Sequence, residues 1–152
     1  MRVLLDCPPG WYVEPLRSGV TNYRDPAEHR LRVLVTSLAP IPADVRGWRM
    51  RELHALVPDD QELVIVGEAR MFTRVGWPMR VVEAECRRGG AVAERWVAAF
   101  YQTADRIAIA LVRAPRGTVD TGRWRDLISL LATAHPSPAR TDVAITGTLS
   151  GK

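Results

Sequence analysis

Four apolar, strand-like runs follow one another in the second half of this 152-residue chain, and their short joins constrain the fold more than any other feature. The runs are Glu62 to Phe72, Met79 to Arg87, Val92 to Gln102 and Arg106 to Arg113. The joins contain turn-forming residues: "GWP" at 76–78, "RGG" at 88–90 and "TAD" at 103–105. Because connections of two to five residues with Gly or Asp form hairpin loops, the pattern predicts an antiparallel four-strand meander.

The first half of the chain contains shorter strand candidates. Val3 to Leu5 and Trp11 to Leu16 are separated by the turn signal "PPG". A third candidate, "RLRVLVTSLAP" at 30–40, combines β-branched residues with alternation. The polar stretch before it, "RSGVTNYRDPAEH" at 17–29, is predicted to be a loop.

Two stretches have the spacing of amphipathic helices. Apolar residues at steps of three or four predict a helix from Pro42 to Val57, with Pro42 in its first turn and Pro58 preventing its continuation. The same spacing predicts a second helix from Thr121 to Ala134. Its candidate caps are Thr118, Asp120 and Thr121.

These elements predict an α+β protein in which an antiparallel sheet with a four-strand C-terminal meander is covered by two amphipathic helices. The length suits one compact unit. We therefore expect a single domain over residues 1–136 and a flexible C-terminal tail over residues 137–152, which is polar and rich in small residues.

Composition and charge argue against several function classes. The 47% of hydrophobic and 25% of charged residues are typical of a soluble globular domain, and no run approaches the ~18 apolar residues of a membrane-spanning helix, so no stable membrane insertion is expected. The net charge is +4, but basic residues are spread from Arg2 to Arg140 with acidic ones between them, so no nucleic-acid partner is predicted. Only three apolar residues separate Arg2 from Asp6, too few for a signal peptide, and a cytoplasmic location is predicted.

The sequence contains no recognisable catalytic or metal-binding constellation. Cys7 and Cys86 are far apart without a His at metal-ligand spacing, and we expect both to be reduced packing residues. His29, His54 and His135 suit surface or helix-end positions, and no serine lies in a Gly-x-Ser-x-Gly elbow. We interpret the chain as non-enzymatic and predict neither a cofactor nor a metal.

The last two meander strands are apolar on both faces, which predicts that both faces of the sheet are covered. One face carries large residues, and we expect it to receive both helices. The other is lined mainly by smaller residues, which would allow another backbone to approach closely. It is covered either by the chain's own N-terminal segment or helix, or by an apolar partner or a second copy of the chain.

A set of quoted segments resembles a known family over about residues 3–136. The segments are "PPGW", "YRDP", "RVLVTSLAP", "WRMRELHAL", "VGWP" and "ERWVAAFYQTADRIAIALVRA", followed by a Trp-Leu-Leu helix. Together they resemble the PsbP-like fold, and within it DcrB-like proteins and the Eag chaperones of type VI secretion. The resemblance implies a small cytoplasmic adaptor, often dimeric, whose sheet surface shields apolar segments of a secreted effector. A different branch of the fold, with no chaperone role, is the alternative.

The resulting hypothesis is a non-catalytic binding protein with a protein partner, and a homodimer is an open alternative. The predicted partner-binding residues lie on the small-residue sheet face and at its end: Val97, Ala99, Tyr101, Gln102, Ala108, Ala110 and Val112. The resemblance singles out Gln102, because polar groups on such a surface can satisfy those of a lipid-seeking helix. A second hypothesis is a small-molecule or enzymatic cleft formed by Trp77, Glu83, Glu85 and Arg95. A third is an immunity-type inhibitor that blocks a toxin.

Overall fold

The computed structural model describes residues 2–15, 19–28 and 30–137, although the side chain of Pro15 is not described. His29, Leu16 at the end of the second predicted strand, and all of the predicted tail after Ser137 lie outside this part of the chain.

The described residues form two helices and ten strands. The helices are α1 (Val45–His54) and α2 (Thr121–Leu131). The short N-terminal strands are β1 (Val3–Leu4), β2 (Tyr12–Pro15), β3 (Val20–Arg24), β4 (Arg32–Thr36) and β5 (Ala39–Pro40). The long strands are β6 (Glu62–Phe72), β7 (Pro78–Arg88), β8 (Ala91–Gln102) and β9 (Arg106–Pro115), and β10 (His135–Pro136) is short again.

Most strands belong to one antiparallel sheet with the order β2-β3-β4-β9-β8-β7-β6. Strand β5 pairs with β9 on the same side as β4, nearer the start of β9. Strands β1 and β10 form a separate two-stranded sheet, which joins the two ends of the described chain. The four long strands pair in chain order through tight turns, so β6 is one edge of the large sheet and β2 is the other.

Helix α2 covers the face of the sheet that carries the smaller residues. Its Trp124, Leu127 and Leu131 are buried in one cluster with residues of β8 and β9. Strand β1 and the β4 side chains Val33 and Val35 belong to the same cluster. The hydroxyl of Tyr101 donates a hydrogen bond of 2.7 Å to the backbone carbonyl of Leu131.

Helix α1 packs on the opposite face, which carries the large residues. Leu53 is buried there against Trp96 and Phe100, and the Trp48 ring meets the Phe100 ring edge-on at 6.3 Å. The expectation that both helices share this face is therefore wrong. The small side chains of the other face leave room for the bulkier buried residues of α2, and close packing requires that this room be filled.

The prediction that residues 17–29 form a loop is wrong, because Val20–Arg24 forms strand β3. Its middle residues are all buried, including the polar Thr21 and Asn22. Polar residues inside the sheet hide the alternation that identifies a strand in the sequence. Tyr23 enters the α2-side core, and its hydroxyl accepts a hydrogen bond from the backbone N–H of Leu5 at 3.2 Å.

Helix α1 is shorter than the predicted span of residues 42–57. Asp44 is its N-cap, and its carboxylate accepts a hydrogen bond from the backbone N–H of Gly47 at 3.0 Å. Pro42 thus lies before the helix rather than in its first turn. The local capping interaction decides the boundary because it satisfies an N–H group that has no partner within the helix.

The predicted combination of a mostly antiparallel sheet with two helices is confirmed. Within residues 2–15, 19–28 and 30–137, neither helix has the length and apolar character needed to cross a membrane.

Candidate functional site

The predicted partner-binding face is covered by the chain itself. Six of its seven residues are almost completely buried on the α2 side of the sheet: Val97, Ala99, Tyr101, Ala108, Ala110 and Val112. The prediction of a docking surface there needs correction, because α2 and the N-terminal strands occupy the space a partner would need. Gln102 differs from the other six: it is exposed and lies at the end of β8, on the α1 side.

Three residues of the alternative cleft are neighbours on the α2 side of the sheet, namely Glu83, Glu85 and Arg95, whereas Trp77 lies apart from them. Glu83 accepts a hydrogen bond of 2.8 Å from the indole N–H of Trp124, and the Arg95 guanidinium lies 4.8 Å from the centre of the same indole. Glu85 stands opposite Arg95 in the register, yet its carboxylate pairs with Arg87 at 2.6 Å. Trp77 packs on Tyr101 with 6.3 Å between ring centroids. The two glutamates and Arg95 therefore act as supports of the fold.

A groove of about 340 Å³ lies on the α1 side, at the end of the sheet where β6 joins β7 and β8 approaches β9. We call it the arginine groove, since three guanidinium groups line it together with apolar side chains. Its lining residues are Arg49, Arg70, Met71, Phe72, Pro78, Met79, Arg80, Phe100, Gln102 and Ile107.

The strand register builds the charged part of the groove. Arg70 of β6 stands directly opposite Arg80 of β7, and Arg80 stands opposite Phe100 of β8. Residues opposite one another in an antiparallel pair project from the same face, within a few ångströms at Cβ. Two guanidinium groups and one aromatic ring therefore form a row across three neighbouring strands.

Helix α1 adds the third guanidinium group. Arg49 extends over the Phe100 ring, with its guanidinium carbon 5.8 Å from the ring centroid. Burial lowers the pKa of Arg49, and the nearby charges of Arg80, Arg46 and Arg70 lower it further, with only Glu68 acting in the opposite direction. Burial is the largest cause of this pKa shift, and the charged groups that act on Arg49 are three arginines and one glutamate.

An apolar side chain at the rim of the groove is exposed. Phe72, the last residue of the edge strand β6, has 70% of its surface exposed. Gln102 adds an exposed amide at the end of β8. The site thus combines apolar contact area, a polar amide and positive charge, which suits binding of a partially apolar anion.

The two thiols and His135 lie in structural surroundings. Burial raises the pKa of the Cys7 thiol to about 12 and that of the Cys86 thiol to about 11, with Asp6 and Glu94, respectively, adding to the effect, so both thiols are neutral near pH 7. His135 lies in β10, where its ring nitrogen is 3.0 Å from the Thr133 carbonyl oxygen. Among the residues that the structure describes, no three His, Cys, Asp or Glu side chains gather at a spacing that could hold a metal ion.

Gln102 is named as a candidate in the sequence analysis, but the arginines of the groove are not. The signal that could have found them is the hairpin itself: a turn at residues 73–77 places Arg70 opposite Arg80 once the strand ends are fixed. The contribution of Arg49 has no such local signal, because it depends on where α1 lies on the sheet.

The chain has a PsbP-like fold. Similar structures include the solution structure of cyanobacterial PsbP (CyanoP) from Synechocystis sp. PCC 6803, with 17% identity, a TM-score of 0.62, and coverage of 86% of this chain and 84% of that one. A crystal structure from Bacteroides thetaiotaomicron VPI-5482 is similar at 12% identity and a TM-score of 0.51, and the match spans 90% of this chain but 46% of that one. No protein-family model matches the sequence, and a search of curated proteins finds no match.

Proposed function

We propose that this chain is a non-catalytic binding protein that shields an apolar segment of a protein partner in the arginine groove. The observation that carries the proposal is Phe72, a large apolar side chain with 70% of its surface exposed at the rim of a groove floored by Phe100. An exposed aromatic residue beside an apolar floor is a typical anchor position for a partner.

The proposal keeps the adaptor or chaperone role that the resemblance to DcrB-like and Eag proteins implies, but it moves the binding surface. The segment binds on the α1 side of the sheet, not on the α2 side. Within this role, Gln102 offers an amide to backbone or side-chain groups of the segment, which an apolar floor alone would leave unsatisfied. A cytoplasmic location and a dimeric state belong to the same proposal.

A non-catalytic role agrees with how the polar residues are used. Glu83 holds Trp124, while Glu94 accepts hydrogen bonds from Trp96 at 2.9 Å and from Arg113 at 3.0 Å. Carboxylates held in this way stabilise packing and are not free to exchange protons with a substrate.

A small molecule is the second candidate for the groove, because about 340 Å³ is within the range of small-ligand sites. A bound metabolite would raise the melting temperature by mass action, so a thermal-shift screen separates this candidate from the first. For the immunity-type role, no residue that the structure describes indicates a binding face.

Replacing Phe72 tests the proposal. A fluorescein-labelled peptide with a ten-residue Leu/Ala segment flanked by Gln is titrated with the full chain, and binding is followed by fluorescence anisotropy. We expect Phe72→Ser to weaken binding by about tenfold, since burying a Phe side chain contributes roughly 1.5–3 kcal/mol.

The matched control is Val13→Ser. Val13 is 55% exposed on β2, the opposite edge of the sheet, so this variant should bind as the unmodified protein does. Equal affinities for both variants would contradict the proposed surface.

A further inference from the structure

The arginine groove has an excess of positive charge that the fold itself does not neutralise. Arg70 and Arg80 face each other directly across two strands, and like charges in this position repel. Arg49 adds a third guanidinium group from the helix above. Such an arrangement is unfavourable wherever carboxylates do not balance the positive charges.

One carboxylate of the chain itself neutralises part of this charge. Glu68 lies diagonally across from Arg80, and the two side chains form an ion pair at 3.3 Å. Arg49 contacts the Phe100 ring, and within the described part of the chain neither Arg49 nor Arg70 has a carboxylate at ion-pair distance. Two positive charges therefore stay available at the groove.

The apolar surroundings increase the effect of these charges. Phe100 and Ile107 are buried beside the guanidinium groups, and Phe72 lies at the rim. An ion pair beside apolar side chains is screened less than one in open water. Arginine also binds carboxylates through two parallel N–H groups, which fixes their position.

Resting on the proposed function, we infer that the segment bound in the arginine groove carries acidic side chains beside its apolar core. The partner is thus an apolar protein segment flanked by Asp or Glu. The apolar part contacts Phe72 and Phe100, while the flanking carboxylate pairs with Arg70 and Arg49. A segment flanked by Lys or Arg is disfavoured by repulsion from the same groups.

Three labelled peptides test the inference with the full chain. All contain the same ten-residue Leu/Ala segment, flanked on both sides by Glu, Gln or Lys. At 50 mM NaCl we expect the Glu peptide to bind about fivefold more tightly than the Gln peptide, the amount that one partly exposed ion pair of roughly 1 kcal/mol provides. The Lys peptide should bind more weakly than both, and the differences should shrink at 500 mM NaCl.

Two charge-matched variants assign the preference to the groove. Arg70→Gln should reduce the Glu-over-Gln preference to less than twofold, whatever its effect on the affinity for the Gln peptide. Arg125→Gln removes the same charge from an exposed position on α2, across the sheet from the groove, and should keep the full preference.

Different failures have different meanings. Equal binding of the three peptides, or equal loss of preference in both variants, would overturn the acidic segment and leave the proposed function standing. If none of the three peptides binds, the proposed function falls and this inference falls with it.

Discussion

Tyr101 shows how a single residue connects the sheet to α2. Its ring is fully buried, and its hydroxyl donates to the carbonyl of Leu131, the last residue of that helix. The last carbonyls of a helix have no partner within the helix, so this bond satisfies a group that would otherwise be buried without one. Burial raises the pKa of Tyr101 far above its usual range, which keeps the donor protonated.

Removing this hydroxyl should destabilise the protein without disturbing the packing of the ring. We expect Tyr101→Phe to lower the free energy of unfolding by about 1–2 kcal/mol, the cost of leaving one buried acceptor without its donor. Urea denaturation followed by circular dichroism measures the change. The exposed Tyr12 provides the control, and Tyr12→Phe should change the free energy by less than about 0.5 kcal/mol. If Tyr101→Phe is as stable as this control variant, the hydrogen bond makes no net contribution to the free energy of unfolding.

Among the elements, α2 has the clearest determinant of where it begins. The sequence offers Thr118, Asp120 and Thr121 as caps, and in the structure the Asp120 carboxylate accepts a 2.7 Å hydrogen bond from the backbone N–H of Arg123. Thr118 instead donates its hydroxyl proton to the Pro115 carbonyl, at 2.6 Å, and so stabilises the preceding turn.

Loss of the Asp120 cap should cost about 1 kcal/mol in Asp120→Ala, because an N–H of the first turn loses its acceptor. Asp120→Asn should retain most of the stability, since Asn is an equally good cap. Asp126→Ala removes the same charge from an exposed position within α2 and is the control. Thermal unfolding of the three variants gives the comparison; equal melting temperatures for Asp120→Ala and Asp126→Ala would assign the effect to charge and not to capping.

The strands differ in how far the sequence determines them. The β6 and β8 ranges were predictable because long apolar runs end at hairpin turns. The third strand of the chain was not, because Thr21 and Asn22 are polar residues inside the sheet. The groove could be predicted only in part. Its Arg70–Arg80 pair follows from the hairpin register, whereas the position of Arg49 over Phe100 is set by tertiary packing.

In the molecule as a whole, the two faces of the sheet have complementary packing. Small sheet residues such as Ala99 and Ala110 lie in the same cluster as the large α2 residue Trp124, and the large sheet residues Trp96 and Phe100 lie with the shorter α1. Because the last two meander strands are apolar on both faces, the sequence predicts that both faces are covered, but it does not indicate which helix covers which face. The volumes of the packed side chains determine which helix covers which face. The end of the α1 side stays open as the groove.

Both cores contain titratable groups whose neutral form the fold requires, so the molecule should lose stability in alkali. Burial, with a smaller contribution from Glu94, raises the pKa of Cys86 from 9.0 to about 11. Its contribution to stability is complete below pH 9. As the pH rises from 9 to 11, the unfolded chain releases this proton while the folded chain keeps it, and the free energy of unfolding falls.

Each pKa unit corresponds to about 1.4 kcal/mol, so Cys86 should cost about 2–3 kcal/mol of stability by pH 11. Urea denaturation of the unmodified protein and of Cys86→Ala between pH 8 and pH 11 isolates this contribution, because Tyr23, Tyr101 and Cys7 titrate in both proteins. The stability advantage of the unmodified protein over Cys86→Ala should shrink by that amount across the range. An advantage that stays constant with pH would mean that the folded thiol ionises as readily as the unfolded one, and that the α1-side core admits water at Cys86.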